Sequence, residues 1–153
     1  MLSIQSMSRG TVCRGFLSIL ILLTSFTACA KSESFVKLKG QTITVEVADT
    51  PSKQALGLMY RREMADNQGM LFTYSREEPQ SFWMKNVHIP LDILFFDKDL
   101  RLINVAADTP PCKTTRCPAY KSKAPSKYVL EINAGLASKW GVQPGDKLEL
   151  NLD

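Results

Sequence analysis

Histidine, long apolar runs and the common catalytic motifs are scarce in this sequence, and each shortage excludes a class of function. His88 is the only histidine, so sites that need several imidazoles are excluded by count. No Gly-x-Ser-x-Gly elbow, G-x-x-x-x-G-K-[ST] loop or G-x-G-x-x-G turn is present, which removes the sequence signs of a serine hydrolase or a nucleotide-binding fold. Lysines and arginines are interspersed with acidic residues, so a nucleic-acid partner is not indicated. We predict no metal and no cofactor.

The longest apolar-rich run lies near the start of the chain, at residues 16–26 (FLSILILLTSF). This run is too short to span a bilayer, which needs about twenty residues. Arg9 and Arg14 precede it and small residues follow it, and this order is typical of an export signal. We therefore expect residues 1–30 to be an export signal and residues 31–153 to form a single β domain in the periplasm, since the chain of 153 residues suits one domain.

Two alternatives remain open for the end of this signal. Residues 28–30 (ACA) fit the small-x-small rule for ordinary cleavage before Lys31. Cys29 also stands where the cysteine of a bacterial lipoprotein is lipidated, although Phe26 replaces the leucine that is usual in this motif. The lipoprotein is slightly favoured because Cys29 has no other evident use. A membrane is expected as a partner only through this lipid anchor.

Cys112 and Cys117 are the two cysteines that remain once the signal is set aside. In an oxidising compartment, two cysteines this close in sequence favour a disulfide. Their C-x-x-x-x-C spacing between prolines differs from the C-x-x-C motif that begins a helix in redox proteins. A metal site would need further soft ligands, and His88 is distant in sequence. We predict a structural disulfide.

Short strands separated by turn signals make up the rest of the chain. Thr50 and Pro51 are typical of a helix start and predict a short helix over residues 52–59, in which Gly57 lowers the helix propensity and favours an earlier end. Gly141 is placed to cap a second short helix. About eight strands and only two short helices predict an all-β (mostly β) fold, a small antiparallel barrel or sandwich. The predicted strands are residues 35–39, 42–47, 69–74, 80–85, 91–96, 101–106, 127–133 and 147–152.

Six stretches occur in a fixed order: GLMYR (57–61), GMLF (69–72), FWMKNVHIPLDILF (82–95), the segment from Cys112 to Cys117, YVLEINAG (128–135) and GVQPGD (141–146). Together they resemble the bacterial and archaeal domain-of-unknown-function family 192, over residues 44–152. The resemblance implies a compact, mostly β fold that is often exported, and it implies no reaction. Val87 stands where the family more often has threonine, so we base no mechanism on that position.

Polar side chains interrupt the apolar stretch at residues 81–96 (SFWMKNVHIPLDILFF). Pro90 cannot donate to a strand ladder, so residues 86–90 are predicted to form a bend rather than a central strand. Asn86 would then hydrogen-bond the backbone of that bend, as asparagine does in turns. The alternative is a pocket wall formed by Trp83, Met84, Asn86 and Asp92.

Asp92 and Glu131 are carboxylates in strongly apolar strands, where each needs a partner because an unpaired buried charge is costly. Arg61 or Arg62 could form a salt bridge from the first helix to the sheet. If the two carboxylates were neighbours, they could instead serve with His88 in a small hydrolase-like enzyme. The main hypothesis is a binding or envelope-associated module for an unknown small molecule or envelope protein. Its candidate binding residues are Arg61, Arg62, Trp83, Met84, Asn86, Asp92 and Glu131.

The two alternatives for the signal predict different mature N-termini. We expect intact-mass spectrometry of the protein purified from membranes to show a chain that begins at a lipid-modified Cys29. An unmodified chain that begins at Lys31 would instead establish ordinary cleavage and remove the lipid anchor.

Overall fold

The computed structural model describes residues 33–153, which belong to one compact unit, Lys31–Asp153. The predicted export signal and Cys29 lie outside the described residues. The prediction of a mostly β fold with two short helices is confirmed. The elements in chain order are β1 (Phe35–Leu38), β2 (Gln41–Ala48), α1 (Pro51–Leu56), β3 (Gln68–Glu78), β4 (Ser81–Trp83), β5 (Leu91–Phe96), β6 (Leu102–Thr109), β7 (Ala119–Lys121), β8 (Ser126–Asn133), α2 (Leu136–Lys139) and β9 (Glu149–Asn151).

Seven strands form one mixed sheet in the order β6-β5-β8-β3-β2-β1-β9, and β4 pairs with β7 in a second, small sheet. The arrangement is sandwich-like rather than a closed barrel, and Arg101 and Lys147 form an isolated bridge between strand ends. Strands β2 and β3 are parallel, which the prediction of an antiparallel sheet did not include. A parallel pair requires a crossover of a dozen or more residues, and the segment that contains α1 provides it.

The large sheet is covered on both faces, so its central strands are apolar throughout. One face, here called the α2 face, carries Leu71, Leu94 and Leu130 packed with Leu136 of α2. The opposite face, here called the β4 face, carries Phe72, Phe95 and Val129 under Met84 and Val87, which follow β4. All six residues of β5 are buried. This burial on two sides explains why the sequence of β5 shows an apolar run instead of a strict alternation.

Helix α1 begins and ends as the sequence predicts. The Thr50 side chain accepts a hydrogen bond from the Lys53 backbone N–H, and Gly57 caps the other end with a positive φ of 49°. Gln54 Nε2 donates to the Thr73 carbonyl at 2.8 Å, which fixes the helix to β3. A Cβ atom on Gly57 would lie 3.3 Å from the Phe72 ring, so the chain after α1 crosses closely over the β4 face.

The predicted bend after β4 is present, and Asn86 lies in it with a φ of 59°. Asparagine tolerates this left-handed conformation better than most residues. Its side chain bonds across to the segment after α1 and not to the bend itself, since Nδ2 donates to Tyr60 Oη at 3.3 Å. The Tyr60 backbone N–H also donates to the Asn86 carbonyl at 2.7 Å. Asn86 therefore joins two segments that the sequence does not show to be neighbours.

The disulfide between Cys112 and Cys117 is confirmed, with an Sγ–Sγ distance of 2.14 Å. The Cys112 backbone N–H donates to the Met84 carbonyl at 3.3 Å, which holds the disulfide loop beside the residues that follow β4. Over the range 33–153, no helix has the length and apolar character that a membrane crossing requires.

Gly69 lies where strands β3 and β8 approach too closely for a side chain. A Cβ atom there would be 2.7 Å from the Glu131 carbonyl oxygen, which belongs to the backbone and cannot swing aside. We expect Gly69→Ala to lower the free energy of unfolding by about 3 kcal/mol because of this overpacking. Urea denaturation measures the loss.

Gly141→Ala is the matched control, since its Cβ would meet nothing within 4 Å and only its φ of 65° is unfavourable. We expect it to cost about 1 kcal/mol. Equal losses of stability in the two variants would contradict the close approach of β3 and β8 at Gly69.

Candidate functional site

A small cleft opens on the β4 face between the end of α1 and the end of β4. It has a volume of about 40 Å³, which is room for a few water molecules. Residues 54–59 form one wall, and Phe82, Trp83 and Lys85 form the other. Phe72 and Glu131 lie at its base. We call this feature the aromatic cleft.

Glu131 reaches the cleft from the middle of β8. The strand register places it opposite Met70 of β3 and Ile93 of β5, so its side chain points to the β4 face with theirs. Only 4% of the residue is exposed, and its carboxyl group makes no side-chain hydrogen bond to a described residue. No fully enclosed side-chain oxygen of residues 33–153 lacks a partner, so the carboxyl oxygens open onto the cleft. Burial raises the pKa of Glu131 to about 8 from its ordinary 4.5. The carboxyl group is therefore mostly protonated at neutral pH.

Tyr74 is the second ionisable group on this face of the sheet. It follows Phe72 by two residues on β3 and therefore points to the same side. Burial, and then the negative charge of an ionised Glu131, raise the pKa of Tyr74 to about 12. At neutral pH the Tyr74 phenol therefore holds its proton, as the Glu131 carboxyl group mostly does.

Large apolar side chains are exposed around the mouth of the cleft. Leu56, Tyr60 and Trp83 are 54%, 64% and 52% exposed, respectively. Inside the cleft, the Phe72 and Phe82 rings meet edge to face with their centroids 4.9 Å apart. Lys85 Nζ lies 5.2 Å from the centroid of the Trp83 ring, within the range of a cation–π contact. A grouping of exposed apolar side chains is typical of an interaction surface.

The structure brings some of the predicted binding residues to this cleft and separates others from it. Trp83 and Glu131 line it, and Asn86 supports its rim through Tyr60. Met84 is fully buried in the core, where its sulfur accepts a hydrogen bond from Thr109 Oγ1 at 3.4 Å. Neither arginine lines the cleft: the Arg61 guanidinium pairs with Glu46, and Arg62 is exposed.

Asp92 does not make the salt bridge to Arg61 or Arg62 that the sequence led us to expect. Its two carboxylate oxygens accept hydrogen bonds from the backbone N–H groups of Asp108 and Ala137, at 2.8 and 2.9 Å. Asp92 thus ties β5 to β6 and to α2. The expectation failed because backbone donors satisfy a buried carboxylate as well as an arginine does.

Asp92 and Glu131 also lie on opposite faces of the sheet. Asp92 pairs with Ile132, and the next residue of β5, Ile93, pairs with Glu131. A shift of one residue reverses the side-chain direction. His88 is exposed on the bend. The three residues of the hydrolase-like hypothesis therefore do not form one site.

Sequence reasoning missed Tyr60, Phe72, Tyr74, Phe82 and Lys85. The two-residue spacing of Phe72 and Tyr74 in the predicted third strand could have placed them on one face. Nothing in the sequence shows which face of β8 meets that face of β3, because register depends on tertiary packing.

A larger cavity of about 610 Å³ lies along β2 and β3, but its chemistry is less specific. Three of its five charged side chains form ion pairs, since Lys53 Nζ lies 2.7 Å from Asp49 Oδ1 and Glu46 pairs with Arg61, and the other two, Glu33 and Asp153, lie near the ends of the described chain. Within residues 33–153, no group of three or more histidine, cysteine, aspartate or glutamate side chains is arranged to hold a metal. The aromatic cleft is the stronger candidate because its buried carboxyl group has no such partner.

The fold and the cleft define a mostly β domain with a buried acid beneath exposed aromatic side chains. Residues 34–150 match the model of domain-of-unknown-function family 192, which is described as "Uncharacterized ACR". The chain belongs to this family, and the resemblance seen in the six sequence stretches is confirmed. No curated protein matches the chain.

Two solved structures are similar to this one. A crystal structure of a protein of unknown function from Novosphingobium aromaticivorans DSM 12444 is 39% identical, covers 76% of this chain and 83% of that chain, and gives a TM-score of 0.69. A crystal structure from Sinorhizobium meliloti 1021, described as that of a proposed transcription regulator, is 40% identical, covers 78% of this chain and 94% of that chain, and gives a TM-score of 0.70. Neither comparison establishes a reaction for this chain.

The raised pKa of Glu131 predicts that the protein loses stability as the pH rises. The folded state holds the Glu131 proton up to about pH 8, whereas the unfolded chain releases it near 4.5. The contribution of Glu131 to the free energy of unfolding is therefore complete below pH 4.5. It decreases as the pH rises and levels off above the folded-state pKa of about 8. Between pH 5.5 and 7 we expect the free energy of unfolding to fall by about 1.4 kcal/mol per pH unit relative to Glu131→Gln, and the fall should level off near pH 8.

Urea denaturation of both proteins across this pH range measures the difference, and the glutamine variant corrects for every other titrating group. Parallel pH profiles for the two proteins would show that Glu131 titrates normally.

Proposed function

We propose that this protein is an exported binding domain and that the aromatic cleft is its ligand site. Export is supported by the order of basic, apolar and small residues in the first thirty positions. The disulfide between Cys112 and Cys117 also suits an oxidising compartment such as the periplasm.

The observation that carries the binding function is the Glu131 carboxyl group. Buried polar groups in folded proteins nearly always have a hydrogen-bond partner. Glu131 is 4% exposed and lines the cleft, and no residue between 33 and 153 donates a hydrogen bond to its carboxyl group. Its oxygens are not fully enclosed, since no enclosed side-chain oxygen of these residues lacks a partner, and the small cleft is the space they reach. Leaving such a group unpaired costs stability, which a purely structural role would not explain. A ligand in the cleft supplies the missing partner.

Binding accounts for the geometry better than the hydrolase-like alternative does. The Asp92 carboxylate is bonded to backbone N–H groups on the far face of the sheet, and His88 is exposed away from the core. The residues that line the cleft include no serine, threonine, cysteine or histidine. The cleft therefore offers no hydroxyl, thiol or imidazole nucleophile for Glu131 to activate.

The relative from Sinorhizobium meliloti raises regulation of transcription as a further possibility. This chain does not favour that function, because its basic residues are interspersed with acidic ones and form no tract that would follow a phosphate backbone. An export signal would also direct the protein out of the compartment that contains the DNA.

The binding function predicts that small molecules with a four-carbon chain enter the aromatic cleft. We expect at least one of n-butylammonium, butan-1-ol and butyrate to shift the NMR signals of the Trp83 indole N–H and the Glu131 amide at millimolar concentration. Ala55 is an exposed α1 residue that lines the cleft, so Ala55→Trp should block these shifts.

Ser52→Trp is the matched control, because Ser52 is exposed on the same helix and does not line the cleft. It should leave the shifts unchanged. The binding function is contradicted if no probe shifts these signals, or if both tryptophan variants respond to the probes as the unmodified protein does.

A further inference from the structure

We propose that the aromatic cleft binds a primary ammonium group, with the Glu131 carboxylate as its counter-ion and the surrounding aromatic rings as its walls. The proposal rests on the binding function proposed above and specifies the chemical class of the ligand. An amine at the end of an unbranched alkyl chain is the expected group.

Among the described residues, no cation forms an ion pair with Glu131. A carboxylate buried in a protein is normally paired with a cation or held by several hydrogen bonds, as Asp92 is on the opposite face. The residues around Glu131 provide neither. Ile93 of β5 lies opposite it, and the α1 residues that line the same cleft, such as Gln54, are uncharged. Tyr74 of β3 is neutral, and the described cation nearest the cleft is that of Lys85.

The aromatic rings in the walls of the cleft favour a positively charged ligand. Ring faces attract cations, and Trp83 already has the Lys85 ammonium 5.2 Å from its ring centroid at the mouth of the cleft. Lys85 is exposed, so its charge is screened by solvent and repels a second cation only weakly. A ligand ammonium that passes Lys85 reaches Phe72 and Phe82 next to Glu131, where water is largely excluded.

The volume of the aromatic cleft limits the size of the group that can enter it. A volume of about 40 Å³ admits an ammonium head and the first carbons of its chain, whereas whole drug-sized ligands occupy pockets of about 300 Å³ or more. The rest of the ligand would lie on the exposed side chains of Leu56 and Tyr60. This division matches a linear alkylamine.

Binding of an ammonium group must be linked to the proton on Glu131. The carboxyl group loses its proton when the cation binds, so affinity rises with pH up to about 8. Tyr74, which lies near Glu131, keeps its proton over this range because burial raises its pKa to about 12, and Lys85 faces the site from the segment after β4. From pH 6 to pH 8 the affinity for n-butylammonium should rise roughly fiftyfold.

Isothermal titration calorimetry with n-butylammonium, butan-1-ol and butyrate at pH 6 and pH 8 tests the proposal on the full chain. We expect the affinity of the ammonium to rise with pH and that of butan-1-ol to stay constant. Glu131→Gln should remove the pH dependence and most of the ammonium affinity. Glu149→Gln, at an exposed carboxylate away from the cleft, is the matched control and should change neither.

Lys85→Met provides a second, independent variant, since it removes the like charge at the mouth while keeping an unbranched side chain. We expect it to strengthen n-butylammonium binding about twofold, because the exposed Lys85 charge repels the ligand only weakly. Butan-1-ol or butyrate binding without n-butylammonium binding would overturn the ammonium proposal and leave the binding function intact. An ammonium affinity that does not change between pH 6 and pH 8 would also overturn it. Failure of all three probes would overturn both.

Discussion

Burial of one carboxyl group between apolar strands is the constraint on which the candidate site depends. The register of β8 against β3 and β5 places Glu131 beside Met70 and Ile93, beneath the segments that follow α1 and β4. Removing a carboxylate from water favours its protonated form, and this desolvation raises the pKa of Glu131 to about 8. Groups with strongly shifted pKa values occur most often at functional sites, where a ligand or a reaction compensates for their cost.

The walls around this acid are positioned by residues that do not face the ligand. Gln54 fixes α1 to β3, and Asn86 joins the bend after β4 to Tyr60. The disulfide loop contacts the start of the same segment, because the Cys112 backbone N–H donates to the Met84 carbonyl. These contacts come from distant parts of the chain, so the cleft forms only when the β4 face is fully assembled. A rigid support of this kind lowers the entropy lost when a ligand binds.

The sequence predicts the local features of this structure well and the long-range ones poorly. The apolar run of β5, the end of α1 at Gly57 and the disulfide each depend on neighbouring residues, and each is present as predicted. The parallel pairing of β2 with β3 and the opposite directions of Asp92 and Glu131 depend on register between strands, which periodicity does not encode. Strand β7 was missed because its three residues lie in a segment rich in proline and lysine. For the site, the sequence identified Trp83 and Glu131 but could not show that they meet.

The most direct test of this account is the titration of Glu131 itself, followed by the carbon-13 NMR shift of its side-chain carboxyl carbon from pH 4 to pH 10. The signal can be assigned from its absence in Glu131→Gln. The account predicts a midpoint near 8, because burial without a partner favours the protonated acid. A midpoint near the ordinary value of 4.5 would show that the carboxyl group is solvated or paired, and the cleft would then lose the feature that marks it as a binding site.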